Sequence, residues 1–391
     1  MRDETCLPLP DGEGELAPRG EKRVGKRALP FLALLLTACI APQPTLAPPG
    51  EDVTVFVHGY KGSFLKTENG ELAWLTVGQA LSAGDRSIAL PFTGQRDRPR
   101  YGALAPAGPM TRLTVIPLLF EEEIYASFME WAKGALPGFV TYAYDWRLDL
   151  RETGAGLCTF LDGLGGQKRI RIVAHSMGGL VALQCLRRGP ERVSSQVTKV
   201  VFLGTPFKGG PGQWDDLHLG TKTSSNTKLL DAEALLTMPA AWQLLPPQPE
   251  MFFDEGGERV DVPAYDAQTW LEGRWGVFKD GSLDPSYRRQ LEERLEAHRA
   301  LWASLTDPDG PAPGWETMAV IGRGHPTVRG WTMRGDGSFD FANPLRGDGD
   351  GAVLVNRAYP PVKATIVETT AEHTAMLRQP EVQAVISDFL R

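Results

Sequence analysis

The sequence predicts an α/β fold, a mostly parallel sheet flanked by helices with an inserted cap, and three observations predict it. From Asp52 onward, short apolar runs rich in β-branched and aromatic residues alternate with helical patterns, which implies βαβ units. One run, Ile170 to Ala174, passes directly into His175-Ser176-Met177-Gly178-Gly179 and then into an apolar helix. An Asp-Gly turn and a histidine follow near the end of the chain.

The elements come in this order. Val53 to Val57 is a strand that ends at His58-Gly59-Tyr60-Lys61-Gly62. Phe139 to Tyr144 is the next, followed by Asp145-Trp146-Arg147 and a helix from about Glu152 to Gly163. Ile170 to Ala174 is the third strand, with an apolar helix over Leu180 to Leu186. Val200 to Leu203 is the fourth and ends at Gly204-Thr205-Pro206. The pattern then changes: residues from about 210 to 312 hold few β-branched runs and several Trp, and read as the cap. Within it, Pro285 to Leu305 is a charged amphipathic helix whose proline sits in the first turn, where a missing N–H costs nothing. Strand patterns return at Met318 to Ile321 and Ala364 to Val367, and a helix over Glu381 to Leu390 closes the domain, residues 52–391.

The N-terminus has another character. Arg23, Lys26 and Arg27 precede the apolar run Ala28 to Ala41. That run is shorter than the ~20 residues needed to span a bilayer and fits the core of a signal peptide. It closes with Leu36-Thr37-Ala38-Cys39, which resembles the lipobox of bacterial lipoproteins. Residues 1–38 are expected to be a signal peptide whose true start lies near Val24. Cys39 is then the lipidated residue, and the proline-rich stretch 39–51 is a tether. The expected location is the bacterial cell envelope, lipid-anchored at a membrane surface, in the outer membrane if the host is Gram-negative.

Bulk composition narrows the rest. In 391 residues, 42% hydrophobic and 23% charged side chains suit a globular core. With a net charge of −7 and no Lys/Arg run outside the N-terminus, nucleic acid is not an expected partner. The four cysteines show no metal-binding spacing, and Cys158 and Cys185 read as buried free thiols, a disulfide being the alternative.

The chemistry concentrates at Ser176. A nucleophile on a sharp strand-to-helix turn needs small residues two before and two after it, and Ala174 and Gly178 are small. This is the elbow of an α/β-hydrolase fold, in which the chain order is Ser, then Asp or Glu, then His. Of six histidines, only His373 follows the last strand. His58 belongs to the loop after the first strand, and His175 neighbours the serine with its side chain projecting elsewhere. His218 and His298 fall in the cap, and His325 precedes the acid. The acid comes from Gly347-Asp348-Gly349-Asp350-Gly351-Ala352-Val353, with Asp350 favoured and Asp348 the runner-up. A calcium loop starting at Asp348 would need an acidic twelfth residue, where Tyr359 stands. The oxyanion hole needs two backbone N–H groups, assigned to Met177 and Tyr60. The set calls for no cofactor and no metal.

Several stretches together resemble the lecithin:cholesterol acyltransferase family. They are Tyr144-Asp145-Trp146-Arg147, Ala174 to Gly179, Gly204-Thr205-Pro206-Phe207-Lys208-Gly209, Leu244-Leu245-Pro246, and Gly349 to Val353 with His373. The resemblance spans roughly residues 52–390 and implies a lipid substrate. It departs at His58-Gly59, where the family often has Pro-Gly, and it lacks the family's lid-loop cysteine pair between Tyr60 and Tyr142. For Tyr144-Asp145-Trp146-Arg147 the favoured reading is a buried Asp145–Arg147 ion pair beside a packed Trp146, the other being a floor to the site or a headgroup contact. The expected activity is that of a lipid acyl hydrolase or acyltransferase forming an acyl-Ser176 intermediate from phospholipid or glycerolipid esters. A secreted triacylglycerol lipase or general carboxylesterase is the alternative, and a catalytically silent binding lipoprotein is a third reading. Phe252, Phe253, Trp270 and Trp275 are candidate residues to line an acyl channel, plain cap core being the commoner role of such residues.

Overall fold

The computed structural model describes residues 52–81, 86–92, 103–116, 120–165, 169–223, 225–282, 284–306 and 314–391. The expected signal segment, Cys39 and the expected tether lie outside the described residues.

Six strands form the central sheet: β1 (Val53–Val57), β2 (Val140–Tyr142), β3 (Ile170–His175), β4 (Val197–Leu203), β5 (Glu316–Gly322) and β6 (Thr365–Thr369). Their order is β6-β5-β4-β3-β1-β2 and every neighbouring pair is parallel. Val55 faces Val140 on one side and Ile172 on the other, which places β1 between β2 and β3. Successive strand side chains point to opposite faces, so a strand covered on both sides must be apolar throughout. Val53, Val55, Val57, Ile170, Ile172 and Ala174 pack into one core. Phe56, Val173, Val201 and Val320 pack into a second, on the other face.

Helices cover both faces. α1 (Ala126–Ala135) and α6 (Pro380–Leu390) belong to the second core through Phe128, Val382 and Ile386. α2 (Leu150–Gly163) and α3 (Met177–Arg188) belong to the first, and pack on each other. α2 starts where Asp149 accepts the Arg151 N–H, a cap that satisfies one of the free donors of the first turn.

The contact between α2 and α3 corrects the reading of the cysteines as free thiols. Cys158 and Cys185 form a disulfide, with Cα atoms 5.4 Å apart. Two helical positions far apart in sequence are brought within bridging distance by helix packing, which no spacing rule reveals.

Between β4 and β5, the described residues include α4 (Gln213–Leu219), an antiparallel hairpin (Thr221–Thr223 with Asn226–Leu230), three short α-helices, a 3-10 turn (Gly276–Phe278) and α5 (Pro285–Leu305). In an aromatic centre continuous with the first core, Trp214 of this segment packs edge-on against Phe252, Trp270, Trp275 and, from beyond β5, Phe339. Phe252, Trp270 and Trp275 are buried there, so they fill the interior and do not line a channel. Phe253 is half-buried, with the Arg329 guanidinium over its ring, and it too lies outside the clefts described below. Another antiparallel pair, His325–Thr332 with Leu345–Gly349, lies outside the main sheet and leads into Asp350.

Candidate active site

Ser176 sits between β3 and α3 with φ 55° and ψ −130°, a backbone conformation that side-chain-bearing residues rarely adopt. The turn is held because the Ser176 N–H donates to Leu203 O at 2.8 Å and its own carbonyl accepts from Gly179 N at 2.9 Å. Gly178 explains the need for a small residue: a Cβ there would fall 2.4 Å from the carbonyl oxygens of Val57 and His58. The start of α3 is thus pressed against the end of β1. The loop after β1 lies directly over the serine, since a Cβ on Gly59 would come within 2.8 Å of Ser176 Cβ.

Across this elbow stand His373 and Asp350. His373 Nδ1 donates to Asp350 Oδ2 at 2.7 Å, and His373 N donates to Asp350 O at 2.9 Å. The other carboxylate oxygen, Oδ1, accepts from Ala352 N at 2.9 Å and Val353 N at 2.6 Å. Burial disfavours the carboxylate's charge, but His373 and these two amides outweigh it and hold the Asp350 pKa below its ordinary value. Gly204 makes room for the pair: it has φ +55°, and a Cβ there would meet Asp350 Oδ2 and His373 Nδ1 at 3.0 Å each. Asp348 points away, accepting from Gly324 N at 2.6 Å and facing Arg323 at 3.3 Å.

The other histidines are placed elsewhere. His325 meets Thr370 O at 2.7 Å, and His298 meets Pro246 O at 3.0 Å. His218 donates to Trp214 O at 2.8 Å inside the aromatic centre, and burial pushes its pKa down to about 3.

Two residues escape sequence reasoning in their roles. The Gly59 N–H donates to the Tyr125 hydroxyl at 3.0 Å, and that hydroxyl lies 2.9 Å from His175 Nδ1. His175 Nε2 lies 3.1 Å from His373 O. With Gly59 as donor to Tyr125, the hydroxyl proton goes to His175 Nδ1, and Nε2–H donates to the His373 carbonyl. His175 is kept neutral for this, its pKa pushed down to about 3 by burial first and by the neighbouring His373 second. The loop that carries Tyr60 and the loop that carries His373 are therefore tied through one buried bridge. Only the Tyr125–His175 pairing, separated by 50 residues, creates it.

Tyr144 braces the same loop. Its hydroxyl donates to His58 O at 2.6 Å, its N–H donates to His58 Nε2 at 3.2 Å, and the two rings stack at 4.0 Å. Asp145 and Arg147 form the buried ion pair the sequence favours, bidentate at 2.9 and 2.6 Å, with Arg147 Nη1 also donating to Ile88 O at 2.6 Å. Trp146 is fully buried and packs against Tyr60 and Trp74.

Two clefts diverge from Ser176, both bordered by Tyr60 and His373. One, of about 410 Å³, has Trp74, Leu75, Met110, Ile124 and Leu230 in its wall. The other, of about 440 Å³, has Leu244, Val328 and Val353 together with Asp215 and Asp216. Met177, the first residue of α3, is fully buried behind the serine. Among the described residues, no group of histidine, cysteine and carboxylate side chains could hold a metal ion.

Comparison with known proteins adds to this geometry. The PGAP1-like alpha/beta domain matches residues 159–233, which contain β3, Ser176, α3 and β4. Phospholipase A(1) LCAT3 of Arabidopsis thaliana is 38% identical over 81 residues, 19% of this chain and 18% of that protein. Phosphatidylcholine-sterol acyltransferase of Gallus gallus is 25% identical over 226 residues, 54% of this chain and 50% of that protein. The chain thus spans half or less of the length of these relatives. A solved structure of the Tle4–Tli4 complex aligns at a TM-score of 0.49 with 14% identity, covering 86% of this chain and 97% of that one.

Proposed function

We propose that the chain is a lecithin:cholesterol acyltransferase-like α/β-hydrolase, a lipid acyl hydrolase or acyltransferase in which Ser176 carries the acyl group. The observation that carries this reading is the Asp350–His373 hydrogen bond at 2.7 Å, set beside a strained serine in a shared apolar cleft. In the proposed reaction Ser176 Oγ attacks the ester carbonyl carbon while His373 Nε2 takes the hydroxyl proton. Asp350 accepts from Nδ1–H, which fixes the tautomer and steadies the imidazolium. The N–H groups of Met177 and Tyr60 donate to the oxyanion. The C–O bond to the alcohol then breaks, and the departing alcohol takes the proton from His373. Water or a second alcohol repeats the sequence on the acyl-enzyme.

The relatives named phospholipase and sterol acyltransferase support a phospholipid or glycerolipid ester as substrate, and the apolar walls of both clefts suit an acyl chain. Each buried CH₂ contributes ~0.8 kcal/mol, so kcat/KM should rise with ester chain length from four to at least eight carbons. The test is labelling by a fluorophosphonate, lost in Ser176→Ala, followed by a p-nitrophenyl ester series and phospholipid vesicles. A preference for acetate esters without fatty-acid release from vesicles would leave only a general esterase.

The proposed location is the bacterial envelope, anchored through lipidated Cys39. The Cys158–Cys185 disulfide supports it, because such bonds persist in oxidising compartments. Cys39→Ser should abolish lipidation. Wild-type protein recovered from the soluble fraction without detergent would sink the anchor.

A further inference from the structure

We infer that the cleft bordered by α4 is the alcohol subsite of Ser176, suited to an uncharged polyol such as the glycerol part of a glycerolipid, and that the acyl chain takes the other cleft. This rests on the acyl-serine reading of the site and selects among the substrates it allows. An ester has two halves, and two clefts diverge from the one serine. They differ in charge. Among the described residues, the cleft of Trp74 and Leu75 has Lys61 and Lys222 in its wall and no carboxylate. The cleft of Leu244 and Val353 has Asp215 and Asp216 and neither lysine nor arginine.

The polar groups around the second cleft have bonding capacity to spare. Asp215 Oδ1 accepts from Asp216 N at 3.0 Å, and neither carboxylate is ion-paired with a described residue. Tyr60 and Gln213 border the same cleft. The Tyr60 hydroxyl and Gln213 Nε2 are shut off from solvent and have no hydrogen-bond partner in the protein. A buried donor without an acceptor is costly, so each marks a place that a ligand oxygen can satisfy.

These groups together match a polyol. A hydroxyl both donates and accepts, so it can donate to Asp215 or Asp216 and accept from Tyr60 or Gln213. A phosphate would meet two like charges. A quaternary ammonium would attract the carboxylates but offers nothing to the two donors. An acyl chain would leave all four groups unpaired in its wall. The other cleft suits that chain better. Trp74, Leu75, Met110, Ile124 and Leu230 are apolar, Lys222 is exposed, and the Lys61 ammonium reaches Thr221 Oγ1 at 3.4 Å.

Partition of the acyl-enzyme tests this, because the ratio of transfer to hydrolysis does not depend on how fast the acyl-enzyme forms. Full-length protein is acylated by p-nitrophenyl octanoate at about pH 8, where Asp215, pushed up to about 6, is ionised. An added alcohol attacks the acyl carbonyl carbon as His373 Nε2 takes its proton; the bond to Ser176 Oγ breaks, and Oγ takes the proton back. At equal concentrations, glycerol should yield at least about tenfold more octanoyl ester than 1-propanol, more than its extra primary hydroxyl explains. It should also exceed choline and glycerol 3-phosphate by at least about tenfold. Asp215→Asn/Asp216→Asn should narrow the gap between glycerol and glycerol 3-phosphate about tenfold. Tyr60→Phe, which keeps the backbone N–H, should narrow that between glycerol and propanol about fivefold. Equal or no transfer to glycerol and propanol, a preference for choline, or gaps that neither variant changes would overturn the inference. So would a preference for glycerol 3-phosphate, which would place the alcohol in the lysine-bearing cleft. In each of these cases p-nitrophenol release upholds the serine reading. A chain that releases no p-nitrophenol and takes no fluorophosphonate label would refute that reading, and the subsite with it.

Discussion

At the carboxyl end of the sheet and in the helical segment between β4 and β5, the same residue type is buried to different ends. His218 is enclosed by Trp214, Trp270, Trp275 and Phe339, and its Nδ1 donates to a carbonyl of its own helix. His175 is buried as deeply, but its two nitrogens meet a tyrosine hydroxyl and the backbone of His373. Burial pushes both imidazoles down to about 3. A depressed pKa therefore does not distinguish a packing histidine from one in a site. What differs is the partner: a local helical carbonyl in one region, side chains and loops from distant strands in the other.

The largest effects should test that contrast directly. Ser176→Ala, His373→Ala and Asp350→Asn should each lower acyl hydrolysis by on the order of 10³-fold or more, without adding in combination. Asp348→Asn should stay near wild type, and His218→Gln should lower Tm while folded protein keeps its kcat/KM. An inactive Asp348→Asn beside an active Asp350→Asn would break the assignment of the acid.

Next comes the ion pair behind the site. Asp145→Asn leaves Arg147 buried with half of its partner's charge-assisted bonds, and removing one member of such a pair costs about 3–5 kcal/mol. Denaturant unfolding should show that loss. A stable variant whose kcat alone collapses would move Asp145 into the reaction.

Smaller still is the bridge. Tyr125→Phe deletes the acceptor of the Gly59 N–H and the donor to His175, and should lower kcat by roughly 10- to 50-fold with KM little changed. A change confined to Tm would reduce Tyr125 to packing.

The least effect is expected where α4 meets the cleft. Asp215 is pushed up to about 6, by burial first and by Asp216 second. A carboxyl raised in the folded chain holds its proton more tightly there than in the unfolded chain. Its contribution to stability is full below the ordinary carboxylate range and lost as pH rises through about 6. Asp215→Asn should therefore raise Tm at about pH 7.5 and change it little at about pH 4. The same Tm difference at both pH values would show that Asp215 does not titrate this way.

Much of this chain is legible locally. The β-branched runs at Val53, Ile170 and Val200 declare buried strands because a strand covered on both faces must be apolar at every position. Ser176 is legible because its turn admits only small residues at 174 and 178, and the contact of Gly178 with two β1 carbonyls is the physical reason. The order of Ser176, Asp350 and His373 is a property of the chain. Their meeting is not: Gly204 must take a positive φ at the end of β4 before Asp350 and His373 can close over it. The aromatics at 252, 270 and 275 can be read in sequence as channel walls or as cap core, and their packing on neighbouring rings decides for core. Cys158 and Cys185 become a disulfide, and Tyr125 and His175 a bridge, through contacts between elements 27 and 50 residues apart. Local patterning determined which elements form and where the nucleophile turns. Only the packing of helices and loops around the sheet decided which side chains touch, because that depends on distances the linear chain does not contain.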